Sequence, residues 1–260
     1  MSIITETYEV QSRFLQSQKE AQPELLKTFI NLYPDTAHFI YELLQNAEDA
    51  GANEVFFELY ENKLIFNHNG RDFNDGDIKA ICRFGESTKQ DDETAIGKFG
   101  IGFKSIFAYS KTPYIWSPSY NFKIEELILP SEIQPYPNLN GKTRFEFPFN
   151  HESKNKIDAF SETFEGLKDL SNTTLLFLKN IKKIDIIINE KNKVSTKQIT
   201  KKTYPDQIIE INFEENFEDN EKSKSNYYLI FDQPCEVLEG RNIDLAYELS
   251  IKENQDEHNP

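Results

Sequence analysis

The chain has 260 residues, 38% hydrophobic and 13% aromatic with 21 Phe and 12 Tyr, enough for one large domain, or one and a half, around a substantial core. A net charge of -15 disfavours broad electrostatic binding to nucleic acid or an anionic membrane, though it leaves room for a local basic patch. Cys82 and Cys235 form no metal pattern, and there is neither an apolar run of about 18 residues nor a signal-peptide pattern at Met1, so a soluble, reduced, cytoplasmic protein is expected.

In chain order, residues 5–33 alternate at helical spacing, with Tyr8, Phe14, Leu15, Leu25, Leu26 and Phe29 as expected buried positions and Pro23 opening a second helix. Asp35 is the expected N-cap of the next helix, which should run to Ala50 and stop at Gly51. Residues 54–60 and 63–67 read as two strands around a turn at Glu61 and Asn62. A short helix is expected over 75–83, a polar loop over 90–94, and a helix over 105–109. Strands are expected at 114–117, 122–124, 143–147, 175–178 and 184–189, and a helix at 157–170. Further strands are expected near 208–213, 227–231 and 243–251, with an acidic, mobile stretch over 214–225. No internal repeat is present.

Three blocks carry chemistry. In the first, Glu42, Asn46 and Asp49 sit at i, i+4 and i+7 and share one helix face. An amide oxygen suits Mg²⁺, which takes few protein ligands, and a carboxylate one turn earlier can orient or deprotonate a water. Read alone, this block favours the polar face of an ordinary amphipathic helix. In the second, a buried-looking strand runs into Asn67-His68-Asn69-Gly70-Arg71-Asp72-Phe73. Gly70 permits a positive φ and the close approach of a flat ligand, and equally suits a plain strand-to-helix turn. In the third, Gly97-Lys98-Phe99-Gly100-Ile101-Gly102-Phe103-Lys104-Ser105 precedes a helix, so its N–H groups and two lysines favour phosphate. Ser87, Thr88 and Lys89 upstream supply further donors. The pattern is neither a Walker loop nor a dinucleotide fingerprint, and read alone it is also a flexible hinge.

The three blocks in this order resemble the Bergerat-fold ATPases, the GHKL superfamily of gyrase, MutL, the ninety-kilodalton heat-shock chaperones and histidine kinases. Within it, Leu43-Leu44-Gln45-Asn46-Ala47-Glu48-Asp49-Ala50 and the glycine loop look most like the sacsin-type, chaperone-like branch. Residues 141–145 and 175–180 also look like that branch. The resemblance is specific over about residues 36–111 and looser to about 190.

The resemblance implies an α/β two-layer sandwich whose mixed, mostly antiparallel sheet holds a nucleotide against helices. The expected division is a helical segment over 1–35, an ATP-binding domain over 36–190, and a β-rich extension over 191–260 that begins a further domain. By motif match, Glu42 is the expected general base and Asn46 the Mg²⁺ ligand. Asp49 and Ala50 border the adenine pocket, with His68, Asn69, Gly70 and Phe73 from the second block and Thr143 from a later strand. Gly97, Gly100 and Gly102, with Lys98, Phe99, Ile101, Phe103 and Lys104, form the phosphate loop of a mobile lid over 86–102. One departure stands out: the family's adenine-reading Asp is His68 here, and its second glycine is Asp72. The adenine amino group donates, so a neutral His68, Asn67 or Asn69, or a water, is the expected acceptor.

The expected function is slow, Mg-dependent ATP hydrolysis driving a lid or dimerisation switch in a longer chaperone-like, stress or defence protein. In relatives a Lys or Arg of the following domain completes the site, so slow turnover, on the order of 10⁻³ to 10⁻² s⁻¹, is expected of these residues alone. Expected partners are ATP, other domains of the same protein or a protein partner, and a second copy in a nucleotide-dependent homodimer. Membrane and nucleic acid are not expected. Alternatives are a nucleotide-dependent interaction module with little hydrolysis and a subunit of a DNA-processing GHKL ATPase. A histidine kinase is disfavoured, because no phospho-acceptor helix precedes the first block.

Overall fold

The computed structural model describes residues 1–21, 38–83, 102–191, 193–217, 220–234 and 242–249. Among them are α1 (Ile3–Ala21), α2 (Phe39–Asp49), α3 (Asp75–Ile81) and α4 (Lys156–Lys168). The strands are β1 (Glu54–Tyr60), β2 (Lys63–His68), β3 (Tyr114–Trp116), β4 (Asn121–Glu125), β5 (Leu129–Glu132), β6 (Thr143–Pro148), β7 (Lys183–Glu190), β8 (Lys193–Thr203), β9 (Ile208–Phe217), β10 (Asn220–Pro234) and β11 (Asn242–Leu249). They form one 11-stranded sheet in the order β11-β10-β9-β8-β7-β1-β2-β6-β3-β4-β5. β1 and β7 run parallel, and the other described pairs are antiparallel. This is the expected α/β arrangement with a mixed, mostly antiparallel sheet.

Period-two patterning sets the buried face. Val55, Phe57 and Leu59 of β1 alternate with partly exposed neighbours. Leu64, Phe66 and His68 of β2 and Thr143, Phe145 and Phe147 of β6 share that face through the register. Phe57, Phe66 and Phe145 then stack in sequence, with ring centroids 4.7 and 5.8 Å apart. The helices cover this side: α4 packs on β1, α2 on the 3-10 helix Gly102–Ala108, and α1 on β5. α1 is also tied down by Lys19–Glu126 at 2.5 Å and Lys79–Glu6 at 3.1 Å.

The β1–β2 hairpin and the stop of α2 are as the sequence predicts, whereas α2 starts at Phe39 with His38, not Asp35, at its N-cap. Gly51 has φ +71°, its N–H donates to Glu48 O, and Ala52 N–H reaches back to Ala47 O, a Schellman ending. Four other expectations change. Residues 175–178 form no strand: a 3-10 helix, Asn172–Leu175, packs instead on β8 and β9, burying Leu175 and Leu176. The stretch 214–225, expected to be mobile, is largely the β9–β10 hairpin, held across strands by pairs such as Glu215–Lys222 at 3.2 Å. In α1, Leu15 is buried, but Tyr8 and Phe14 are exposed, because Ile4 and Thr7 supply the inner face. β8, unpredicted, carries lysines on its buried face. Lys197 and Lys201 satisfy their ammonium groups on the carbonyls of Lys168 and Leu178, and burial lowers the pKa of Lys197 to about 8. The expected N-cap Asp35, the second helix from Pro23, Leu25, Leu26 and Phe29 lie outside the described residues. The expected boundary at residue 190 falls in the turn between β7 and β8, and β8–β11 continue the same sheet.

Candidate nucleotide site

Helix α2 carries the first block, buried at Phe39, Ile40, Leu43, Leu44 and Ala47. Glu42 and Asn46 lie one turn apart, and neither side chain hydrogen-bonds a described residue. His38, one turn earlier, has its Nδ1 3.9 Å from Glu42 Oε1. Asn46 is 7% exposed, so a buried amide is kept open. Asp49 is exposed and accepts from Gln45 at 3.0 Å.

Glu48 has the opposite fate. It is 8% exposed, and its carboxylate accepts three backbone N–H groups: Lys179 and Asn180 at 2.7 Å and Ile181 at 2.9 Å. Asn180 also donates its amide to Glu48 O at 3.1 Å. Glu48 thereby fixes the segment that feeds β7, beside α2. Only its place on the helix's sheet-facing side could have signalled this in the sequence.

At the C-terminal end of α2 the second block closes onto the helix. Arg71 N–H donates to Ala50 O at 2.8 Å. A Cβ on Gly70 would stand 2.8 Å from Ala50 O and 3.0 Å from Ala52 N, so close backbone approach demands glycine here. Its φ is not positive, unlike Gly51 and Gly141, so the left-handed freedom that glycine permits is not used here. Asn69 is consumed structurally: its Oδ1 accepts from Asn53 and Glu54 N–H at 3.0 Å, and its Nδ2 donates to Asn53 at 2.7 Å. It has no acceptor left for a base. Phe73 is a core residue, with its ring 5.9 Å from Phe122. Arg71 forms a two-pronged pair with Asp77, which also closes a capping box with Asn74 at the start of α3.

His68 ends β2 directly opposite Thr143 of β6, on the helix-facing side. The ring is 4% exposed, and Gly70 N–H donates to its Nδ1 at 3.1 Å. Burial, aided by the nearby Arg71 charge, lowers its pKa from 6.5 to about 4. The neutral ring therefore keeps its proton on Nε2. This corrects the expected role: the acceptor is already engaged, and the remaining ring nitrogen donates. Thr143 is 1% exposed, and its hydroxyl has no hydrogen-bond partner among the described residues. A buried hydroxyl without a partner is costly unless a ligand or water satisfies it.

Of the third block, Gly102, Phe103 and Lys104 are described. A Cβ on Gly102 would fall 1.7 Å from Glu42 Oε2, so the loop's last glycine lies against the expected base. Phe103 is core, with its ring 6.2 Å from Phe147. Lys104 does not serve as a phosphate cation in this arrangement. Its Nζ donates to Ile81 O at 2.5 Å and Leu127 O at 2.6 Å, and burial lowers its pKa to about 8. Leu127 has φ +72°, a strained backbone whose carbonyl the lysine holds. Ser87, Thr88, Lys89, Gly97, Lys98, Phe99, Gly100 and Ile101, and with them the expected lid, lie outside the described residues. A concavity of about 760 Å³ on the opposite face of the sheet, lined by Phe56, Asp185, Gln198 and Glu214 among others, contains none of the expected site residues.

Thus one helix has the Glu42–Gly102 contact near its start and the Ala50–Gly70–His68–Thr143 corner at its end. The two are about 12 Å apart along the axis. Residues 58–130 match the family model of the sacsin domain. Over that stretch the chain is similar to sacsin domains. It is 37% identical to Protein NO VEIN of Arabidopsis thaliana over 116 residues, covering 40% of this chain and 4% of that protein. It is 26% identical to human sacsin over 230 residues, covering 64% of this chain and 5% of sacsin. The chain thus spans about a twentieth of the length of these curated relatives, 4% and 5%. The B-subunit of DNA gyrase from Myxococcus xanthus superposes at a TM-score of 0.41 and 10% identity, over 78% of this chain and 67% of that one. No described helix is long and apolar enough to cross a membrane.

Proposed function

We propose that this chain is an ATP-binding module that hydrolyses ATP slowly with Mg²⁺ and couples the cycle to a conformational switch read by further domains, a protein partner or a second copy. The observation that carries the reading is the contact between Glu42 and Gly102, which joins a carboxylate on α2 to the end of the glycine loop. Asn46, open one turn further on, is the residue that would hold Mg²⁺. Bound there, the ion would supply charge neutralisation for the phosphates. Glu42 would orient and deprotonate the attacking water. The N–H groups at the start of the 3-10 helix favour an anion beside it. At the far end of α2, the unpartnered Thr143 hydroxyl fits a purine edge, which offers the hydrogen bond that Thr143 lacks.

A calorimetric titration with a non-hydrolysable ATP analogue, with and without Mg²⁺, tests this. Binding should strengthen with Mg²⁺ in the wild type, and that gain should vanish in Asn46→Ala. Equal affinity with and without the ion would remove the Mg²⁺ assignment. No binding at all would remove the nucleotide reading.

A further inference from the structure

A site that reads the adenine amino group must present an acceptor, and this corner lacks one in the expected place. Asn69 spends its oxygen on two backbone N–H groups. Nδ1 of His68 takes the Gly70 N–H. Nε2 has no hydrogen-bond partner among the described residues, and in the neutral ring it carries the proton. Beside it, paired across the strands, the buried Thr143 hydroxyl also lacks a partner and can donate or accept. The pair therefore offers a fixed donor next to an adaptable hydroxyl.

We propose that His68 and Thr143 form a base-reading corner for a 6-oxopurine, so that inosine and guanosine triphosphates bind at least as tightly as ATP. The ring N–H of His68 would meet the carbonyl, and Thr143 Oγ1 would accept the neighbouring ring N–H of the base. Adenine reverses both polarities at that edge. Thr143 can turn its hydroxyl to suit adenine, but the His68 N–H would face an amino donor. Leaving such a polar group opposed or unpaired costs enough to set the preference. The inference rests on the nucleotide site proposed above and concerns only its base end.

The test compares binding of Mg-ITP, Mg-GTP and Mg-ATP to the wild-type chain by calorimetry. ITP is the cleaner probe, since guanine adds an amino group at C2. ITP binding as tightly as ATP or tighter supports the proposal. ATP tighter than ITP by about tenfold or more overturns it while leaving the nucleotide site standing. Failure of all three to bind overturns both readings. His68→Asp restores an acceptor and should swing the ITP/ATP ratio toward ATP by at least about tenfold. An unchanged ratio in a folded variant would show that His68 does not read the base. The wild-type comparison decides the matter even if that variant does not fold.

Discussion

Two carboxylates on one helix, six residues apart, do opposite things. Glu48 spends both oxygens on the backbone of residues 179–181, while Glu42 spends neither oxygen on any described residue and lies against Gly102. The two asparagines repeat the contrast. Asn69 is saturated by Asn53 and Glu54 at the entry to β1, and Asn46 is buried with its amide unpaired among the described residues. Among the described residues, the C-terminal end of α2 is thus locked by the fold, whereas Glu42 and Asn46 nearer its start are not. Groups that stabilise a fold are satisfied by it, whereas groups that bind or catalyse must stay unsatisfied until the ligand arrives.

The sharpest way to break this contrast is to remove each glutamate. Glu42→Ala should cut ATP turnover at least about 10²-fold while changing stability by less than about 1 kcal/mol. Glu48→Ala should cost roughly 2–4 kcal/mol of folding stability, because three N–H groups lose their acceptor. Phosphate release and urea unfolding of both variants read this out. If Glu48→Ala lowers turnover without touching stability, or Glu42→Ala does the reverse, the assignments are exchanged.

The histidine gives an effect of similar size on a different axis. Its folded pKa is about 4 against 6.5 for the free side chain. Between those values the unfolded chain binds a proton that the folded chain refuses. The His68 contribution to stability is therefore complete above pH 6.5 and is lost as pH falls toward 4, about 3 kcal/mol in all. Unfolding curves of wild type and His68→Gln should converge in that window. Nucleotide affinity should show no His68-dependent step between pH 6 and 8, where the ring stays neutral. A step near 6.5 that disappears in His68→Gln would contradict the buried, neutral ring.

How much of this was legible in the sequence depends on what the signal rested on. The β1–β2 hairpin was readable because Val55, Phe57 and Leu59 alternate up to a two-residue turn, and the end of α2 because Gly51 admits a left-handed backbone. β8 was not, because its inward positions include Ser195, Lys197 and Lys201, whose polar ends find partners only after folding. Leu175 and Leu176 look like a strand but pack as a 3-10 cap. The order of the three blocks suggested one site, and the structure brings Gly102 against Glu42 and Gly70 against Ala50. Which Glu, which Asn and which histidine nitrogen stay free was not readable, since that is decided by backbone N–H groups many residues away. Lys104 shows the same limit: by composition it belongs to a phosphate loop, yet two carbonyls hold it.

The glycines offer a smaller contrast. In Gly70→Ala the new methyl meets backbone atoms of Ala50 and Ala52 at 2.8–3.0 Å, which cannot retreat without moving the end of α2. A loss of about 1–3 kcal/mol is expected in unfolding experiments. In Gly102→Ala the three atoms nearest the methyl all belong to the movable Glu42 carboxylate. Stability should change by less than about 1 kcal/mol, while turnover falls with the displaced base. Equal stability losses in the two variants would mean that Glu42 is as firmly placed as the backbone.

The smallest effect concerns Asp72, which stands where the resembled family has its second glycine. Its Oδ1 accepts Phe73 N–H at 2.8 Å, and its Oδ2 takes the Ser119 hydroxyl. That holds the backbone just ahead of Phe73, whose ring packs on Phe122 and Phe145, and ties the turn to the segment between β3 and β4. Arg71 on one side is gripped by Asp77, and Asn74 on the other caps α3, so the turn is fixed from both flanks without a glycine. Asp72→Gly should therefore cost about 1 kcal/mol, the worth of its hydrogen bonds, and leave nucleotide affinity unchanged. Tighter nucleotide binding in that variant would show instead that the Asp72 side chain obstructs the ligand, placing it at the base end of the site rather than in the scaffold beneath it.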